Sequence, residues 1–117
     1  MLNLTWMGSS KEDLKAMPEK IRKSIGYALR VVQLGGRPEG SKPLSGFGSA
    51  KVNEIKENDR SGTYRAVYTL EVHGELFVLH VFHKKSTHGK KTPRKDMEMI
   101  KKRLEDVRDH LKTEKKL

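Results

Sequence analysis

The chain has 117 residues, of which 34% are hydrophobic and 34% charged, and its formal net charge is +10. A chain of this length and composition is expected to form one domain, 1–117, with a small core and largely solvated helices. The basic balance favours an anionic partner such as nucleic acid, an acidic protein or a membrane surface. The sequence has no cysteine, which excludes disulfides, thiolate catalysis and zinc sites built on cysteine.

The hydropathy of the sequence predicts the cellular compartment of the protein. No stretch approaches the roughly 18 consecutive apolar residues that a membrane-spanning helix needs. The first residues, MLNLTWMGSS, lack the charged start and apolar run of a signal peptide. We therefore expect a cytoplasmic protein.

The N-terminal third predicts a short strand followed by a helical hairpin. Apolar and polar residues alternate from Leu2 to Trp6, as in a half-buried strand. Ser9 or Ser10 can then cap a short helix, because an acidic residue follows three positions later. Pro18 suits the start of a second helix. Apolar residues recur there at helical spacing, at Ile21, Ile25, Ala28, Leu29 and Val32.

Residues 35–49, GGRPEGSKPLSGFGS, predict a loop because glycine, proline and serine favour turns over regular structure. Its GFG is not a dinucleotide-binding fingerprint, since no strand precedes it and no helical pattern follows it. Three strands are expected next, at 51–57, 63–72 and 76–84, joined by short turns into an antiparallel meander. In the second of these strands, Arg65 lies on the face opposite Tyr64, Ala66 and Tyr68.

A last helix is predicted to begin at Thr92 and Pro93 as N-cap and first helical residue. Apolar residues then step by three and four from Met97 to Leu111. The lysine-rich end, 112–117, is expected to fray. The fold class is therefore α+β, a small antiparallel sheet with an N-terminal helical hairpin on one face and a C-terminal helix.

The most informative segment is the end of the third strand, where LFVLHVF runs directly into HKKSTHGKKTPRK. That basic stretch holds six Lys or Arg residues and two histidines, with no carboxylate. A rigid strand that ends in so many cations gives a fixed positive surface, which suits phosphate chemistry.

Several other chemistries are poorly supported. His80 and His83 are three apart in a strand and point to opposite faces, so they cannot bind one metal ion without distortion. His80 is better interpreted as a packed histidine with a hydrogen-bond partner. The serines lack the context that activates a nucleophile, and no predicted pocket holds two carboxylates for acid and base catalysis. We predict no metal and no cofactor.

Metal-independent RNA cleavage fits the basic cluster. When the ribose 2′-hydroxyl attacks its own phosphodiester, the protein need only move protons and stabilise a doubly charged transition state. The guanidinium of Arg65 can clamp non-bridging oxygens, and Glu54 can hold that side chain or act as a base. The residues placed to transfer protons or stabilise charge are His83, Lys84, Lys85 and His88. Lys84 and Lys85 alternate faces, so only one of them points into the site.

The ordered set of short helices, VNEIKE, GTYRAVYTLEV, LFVLHVFHKKSTHGKKTP and a final helix resembles the phage-derived, HigB-like branch of the RelE/ParE toxin superfamily. The resemblance runs from Trp6 to about His110. It implies a toxin that cleaves mRNA in the ribosomal A site and is held inactive by a cognate antitoxin, commonly of the helix-turn-helix type. It also implies Arg65 as phosphate clamp and Lys51 and Lys56 as RNA contacts.

The remaining basic residues, Lys90, Lys91, Arg94 and Lys95, are expected to attract phosphates. Several RelE-type enzymes place a tyrosine or histidine near the C-terminus in the site, whereas this chain has no tyrosine after Tyr68 and only His110 late. The identity of the acid and the base therefore stays open. Two other functions stay open as well: a ParE-like protein that inhibits DNA gyrase without cutting a bond, and a basic nucleic-acid-binding accessory protein.

Overall fold

The computed structural model describes residues 1–71, 74–85 and 91–115. Within these residues, five strands and three helices form an α+β fold. In chain order they are β1 Asn3–Trp6, α1 Ser10–Lys15, α2 Glu19–Gln33, β2 Lys42–Pro43, β3 Val52–Asp59, β4 Gly62–Glu71, β5 Glu75–Lys84 and α3 Arg94–Lys115.

The sheet is mixed, with strand order β1-β5-β4-β3-β2. Strands β3, β4 and β5 form the predicted antiparallel meander. The expectation of a wholly antiparallel sheet is wrong, because β1 pairs with β5 in parallel. The predicted loop 35–49 also contains β2, whose Lys42 and Pro43 pair with β3. The pairing of β1 with β5 joins segments distant in the chain, and local sequence carries no signal for it.

One face of the sheet is covered by α1 and α2, as predicted for the N-terminal helices. Their apolar residues form a core with alternate residues of the meander, because side chains in a strand alternate between faces. The buried members include Leu14, Ile21, Ile25, Leu29, Ile55, Tyr64, Ala66 and Val78. The serine cap differs from expectation: the Ser9 hydroxyl donates to Asp13 (2.8 Å) and makes no hydrogen bond to the helix backbone.

The other face is covered by α3, which builds a second core from Phe47, Val67, Phe77, Leu79, Ile100, Leu104 and Val107. The apolar stripe of the last helix is therefore core. Arg65 lies on this covered face, because it is two residues from Val67, which belongs to the second core, and next to Ala66, which points to the opposite face. Helix α3 begins at Arg94, after the predicted Thr92 and Pro93, and continues to Lys115, so it enters the segment predicted to fray.

A β-bulge interrupts the pairing of β4 with β5. Val67 pairs with His80 and Tyr68 with Val78, so Leu79 is an extra residue in β5. A bulge of this kind bends the strand and re-aims its side chains. It places Leu79 in the α3 core while Val78 and Val81 stay in the core under α2. Within the described ranges, no helix is long and apolar enough to cross a membrane.

Candidate functional site

Three cations share the α3 face at one end of the sheet. Across the ladder, Lys56 pairs with Arg65 and Arg65 with Phe82, so these side chains project to the same side. Lys84 pairs with Thr63 one row further toward the strand end, two residues from Phe82, and lies on that same side. The strand registers therefore bring Lys56, Arg65 and Lys84 to the same side of the sheet.

Arg65 is almost wholly enclosed, with 1% of its surface exposed. Its Nη1 donates to Glu54 Oε2 (3.4 Å) and to the hydroxyl of Thr92 (3.2 Å), which belongs to the segment before α3. Glu54 is buried as well. A direct contact therefore supports the role in which Glu54 holds the arginine side chain. An open arginine clamp does not match this geometry, because the second core and the segment before α3 enclose the guanidinium.

Lys84 contacts the other end of the segment before α3. Its ammonium donates to the carbonyl oxygen of Lys91 (2.9 Å). The strand end is fixed by Gly62, since a Cβ there would collide with the carbonyl of Lys84, and its φ of +132° favours glycine. Lys85 follows directly after β5 and is exposed. The face alternation thus assigns Lys84, and not Lys85, to the side of Arg65.

His83 lies on the opposite face of β5 from Arg65 and Lys84. Its ring stacks on Tyr64 with centroids 4.2 Å apart, and its Nε2 lies 2.9 Å from the carbonyl oxygen of Ser61. Because a carbonyl only accepts, Nε2 carries a hydrogen and donates it to Ser61. This ring lines a groove of about 490 Å³ beside β5, shared with Tyr64, Asp13 and Met17. A proton on His83 therefore cannot reach a phosphate held by Arg65 without a substrate that spans the strand edge.

The turn before β4 adds an acidic group to that cluster. The Ser61 hydroxyl donates to Asp59 Oδ1 (2.6 Å) and lies 2.7 Å from the Tyr64 hydroxyl. The hydrogen bond from Ser61 lowers the pKa of the exposed Asp59 carboxyl, with smaller contributions from Tyr64 and from the nearby His83. The turn is thus held by a carboxylate that keeps its negative charge at neutral pH.

His80 is a packed histidine, as predicted. Its Nε2 lies 2.8 Å from Asp96 Oδ1, and Arg103 Nη1 lies 3.1 Å from its Nδ1. An arginine only donates, so Nδ1 accepts and Nε2 donates to the carboxylate. Arg103 also donates to the carbonyl of Leu79 (3.0 Å). The network fastens α3 to the bulge, and both ring nitrogens are occupied.

The described histidines of β5 have different partners. His80 contacts Asp96 of α3 and His83 stacks on Tyr64, although both rings line the groove beside β5. Within residues 1–71, 74–85 and 91–115, no group of three or more histidine and acidic side chains is arranged to hold an ion.

The remaining predicted residues divide into two groups. Lys91, Arg94 and Lys95 are exposed around the start of α3, beside the cation cluster. Lys51, predicted to act with Lys56, precedes β3 and lies five residues away, roughly 16 Å at the rise of a strand. It lines a different groove, of about 600 Å³, with Leu70, Arg108 and Lys112. His88 and Lys90 lie outside the described residues.

Sequence reasoning missed several residues that contact the predicted ones. Thr92 was interpreted as a helix cap, and its contact with Arg65 depends on how α3 docks on the sheet. Asp59 and Ser61 lie in the predicted turn between the strands 51–57 and 63–72. Their signal was present, because an aspartate two residues before a serine commonly bonds that serine's backbone in a turn, as Asp59 does here (2.7 Å).

Two solved structures share this architecture. The isolated Escherichia coli RelE toxin superposes with a TM-score of 0.57 at 19% identity, over 87% of this chain and 98% of that chain. A chain of the toxin-antitoxin complex RelBE2 from Mycobacterium tuberculosis gives a TM-score of 0.50 at 20% identity, over 71% of this chain and 98% of that one. The protein therefore has a RelE-like α+β fold.

The sequence comparison defines the family. The family model described as phage derived protein Gp49-like (DUF891) matches residues 12–105. The chain belongs to this Gp49-like family. No curated protein is significantly similar to it in sequence. The predicted RelE/ParE relationship is confirmed in fold and the phage-derived origin in family, and the HigB-like branch stays a prediction.

Proposed function

We propose that the protein is the toxin of a type II toxin-antitoxin pair and that it inhibits translation by cutting mRNA on the ribosome. The observation that carries the proposal is the cluster of Lys56, Arg65 and Lys84 on one face of the sheet, at the strand end where the basic segment begins. The RelE-like fold and the Gp49-like family support it.

The cluster suits phosphoryl chemistry for an electrostatic reason. Three cations on adjacent strands are fixed by the ladder, so little reorganisation is needed when charge develops on a phosphorane. Beside a buried face their field is less screened than in water. Lys85, Lys91, Arg94 and Lys95, together with His88 and Lys90 if they extend the same surface, would guide the RNA backbone.

Within this proposal, Arg65 and Lys84 stabilise the transition state and Glu54 orients Arg65. His83 is a candidate general base for an RNA that spans the strand edge, because its ring lines the groove on the opposite face of β5 from Arg65. His88 and Lys85 are the alternatives. Lys56 contacts the RNA beside the reacting phosphate, whereas Lys51 would contact a distant part of the substrate.

The geometry decides how the proposal should be tested. Replacing Arg65 with alanine would leave the buried Glu54 without its cation and would confuse loss of chemistry with unfolding. Arg65→Lys keeps the charge but loses the two-pronged geometry, and Lys84→Gln removes an ammonium at the strand end. In a purified translation system, we expect message cleavage by the wild type and a loss of about a hundredfold in each variant. Lys20→Gln, at an exposed lysine of α2 on the other side of the sheet, is the matched control and should retain activity.

An inhibitor that cuts no bond is the second candidate, and the burial of Arg65 favours it. A guanidinium with 1% exposure cannot touch a phosphate unless its cover moves. If message stays intact while the protein blocks gyrase supercoiling, the ParE-like function replaces the nuclease. Binding to RNA that weakens steeply with salt, without cleavage or gyrase inhibition, would indicate an accessory protein.

A cognate antitoxin is the proposed partner, and the cytoplasm the proposed location. The RelBE2 structure is of a toxin-antitoxin complex, and a helix-turn-helix antitoxin is expected from the resemblance. Coexpression with the product of an adjacent gene should relieve growth inhibition and give a complex that survives gel filtration.

A further inference from the structure

Two oxygen atoms of one short segment lie on two of the cations of the proposed site. The carbonyl of Lys91 accepts from the Lys84 ammonium (2.9 Å), and the Thr92 hydroxyl accepts from Arg65 Nη1 (3.2 Å). We call Lys91, Thr92 and Pro93 the strap. It joins the sheet face to the first turn of α3, where the backbone carbonyl of Pro93 accepts from Asp96 and Met97.

The strap is anchored at its α3 end. The pair between Asp96 and His80 fixes the first turn of α3 to the bulge of β5 (2.8 Å). Arg103 holds the same bulge through the carbonyl of Leu79 (3.0 Å). The position of Thr92 over Arg65 is therefore set by a buried network four residues further along the chain and not by the threonine contact alone.

The two strap oxygens resemble what a phosphodiester offers to such a site. A phosphate presents oxygens to an arginine and a lysine in the same way, and charge-assisted hydrogen bonds to it are stronger than those to a neutral carbonyl or hydroxyl. The carboxylate of Glu54 accepts from the same Nη1 atom at 3.4 Å and offsets the charge of the guanidinium. Exchange of neutral strap oxygens for charged phosphate oxygens is therefore favourable once the strap has moved.

We propose that the strap is an intramolecular competitor of the RNA phosphate. Lys91 and Thr92 occupy the phosphate subsite of Arg65 and Lys84, and RNA binds by displacing them. The identity of the ligand rests on the proposed function, whereas the strap contact itself does not. A closed strap keeps the free protein in a weakly binding state, and each of its two contacts lowers the apparent affinity for RNA.

Chemical modification of arginine tests the strap without any RNA. Phenylglyoxal reacts with accessible guanidinium groups, and modified positions can be quantified by mass spectrometry of peptides. Arg103 is an internal reference, because it is also buried but is not covered by the strap. Thr92→Val keeps the shape of the side chain and removes its oxygen. We expect modification of Arg65, relative to Arg103, to rise roughly tenfold, as loss of one hydrogen bond to a charged group predicts.

The matched control is Thr63→Val. Thr63 lies on the same face beside Lys84, but its hydroxyl bonds Asn58 (2.9 Å). Thr63→Val and Thr92→Ser should both leave the ratio of Arg65 to Arg103 unchanged. An unchanged ratio in Thr92→Val, or an equal rise at both arginines, overturns the strap. If Thr92→Val does not fold, Thr92→Ala removes the same oxygen and carries the same expectation.

The phosphate subsite has its own readout. Inorganic phosphate should protect Arg65 from phenylglyoxal in Thr92→Val, and a 2′-O-methyl RNA oligonucleotide, which cannot be cleaved, should bind that variant roughly tenfold more tightly than the wild type. If the ratio rises but neither phosphate nor oligonucleotide responds, the competitor role is rejected. Absence of cleavage in a translation system, with these responses intact, would reject the nuclease and leave the competing strap in place.

Discussion

The protein buries two arginines on the α3 side of one sheet, and they are held in different ways. Arg103 is 8% exposed and donates to a backbone carbonyl, a histidine nitrogen and, through Nη2, the hydroxyl of Ser9. Arg65 is 1% exposed and pairs with a carboxylate at 3.4 Å and with the Thr92 hydroxyl. Arg103 joins α1, β5 and α3, whereas Arg65 joins β3 and β4 to the strap.

The difference separates a structural arginine from a candidate functional one. Neutral acceptors in β5 and at the start of α1 leave Arg103 nothing to exchange without loosening the fold. Arg65 has a buried carboxylate that offsets its charge and a hydroxyl on a short connecting segment, which a stronger oxygen ligand can replace. Burial alone therefore does not distinguish the two roles, and the nature of the partners does.

The largest expected effect comes from removing the carboxylate of the Arg65 pair. Glu54→Leu leaves a buried guanidinium without its counter-ion, and we expect the free energy of unfolding to fall by about 4 kcal/mol. Glu54→Gln keeps an oxygen acceptor and should cost about half as much. Urea denaturation measures both. Equal, small losses in the two variants would show that the pair does not balance charge.

The Arg103 network should be less sensitive to its carboxylate than to its arginine. Arg103→Met leaves the Leu79 carbonyl and the His80 ring without their donor, at a cost of about 3 kcal/mol. Asp96→Asn still accepts from a neutral ring and should cost about 1 kcal/mol or less. If Asp96→Asn lowers the free energy of unfolding as much as Glu54→Leu in the same denaturation assay, the two arginines are not held in different ways.

A glycine adjoins each of these regions and sharpens the comparison. A Cβ at Gly62 would collide with the backbone carbonyl of Lys84, whereas one at Gly8 would meet the Arg103 guanidinium at 2.7 Å. Both have positive φ, +132° and +54°. Because a backbone yields less than a side-chain end, we expect Gly62→Ala to cost about 2 kcal/mol and Gly8→Ala about 1 kcal/mol. The reverse order in thermal unfolding would contradict this account.

The smallest effect belongs to the exposed turn with Asp59. Its folded pKa lies below the ordinary 3.8 because the Ser61 hydroxyl bonds the carboxylate. The carboxylate therefore contributes stability above its unfolded pKa, and that contribution is lost as the pH falls through the lower folded pKa. Unfolding followed from about pH 5 to about pH 2 should show a shallower loss in Asp59→Asn and in Ser61→Ala than in the wild type. Parallel curves would mean that the turn does not depend on this bond.

Much of the fold and part of the candidate site follow from local patterns. Period-two alternation located β3, β4 and β5 and assigned opposite faces to His80 and His83, because successive strand residues point to opposite sides. Helical spacing located α2 and α3. The basic segment after β5 indicates Lys84 as a candidate site residue. The strand register then brings Lys84 to the same face as Arg65.

Long-range packing set what local patterns missed. The parallel pairing of β1, the bulge at Leu79 and the docking of α3 each join residues far apart in sequence. They enclose Arg65 under the segment of Thr92 and leave Lys51 at the far end of the sheet.

The amino-acid sequence alone determined the strands other than β2, the helices and the concentration of positive charge at one strand end, because those depend on neighbours along the chain. Only the tertiary structure decided that α3 covers the face of Arg65 and that Glu54 and Thr92 are among the partners of this arginine. A guanidinium on a strand is open or enclosed according to which helix packs over it, and that helix begins 29 positions later in the chain.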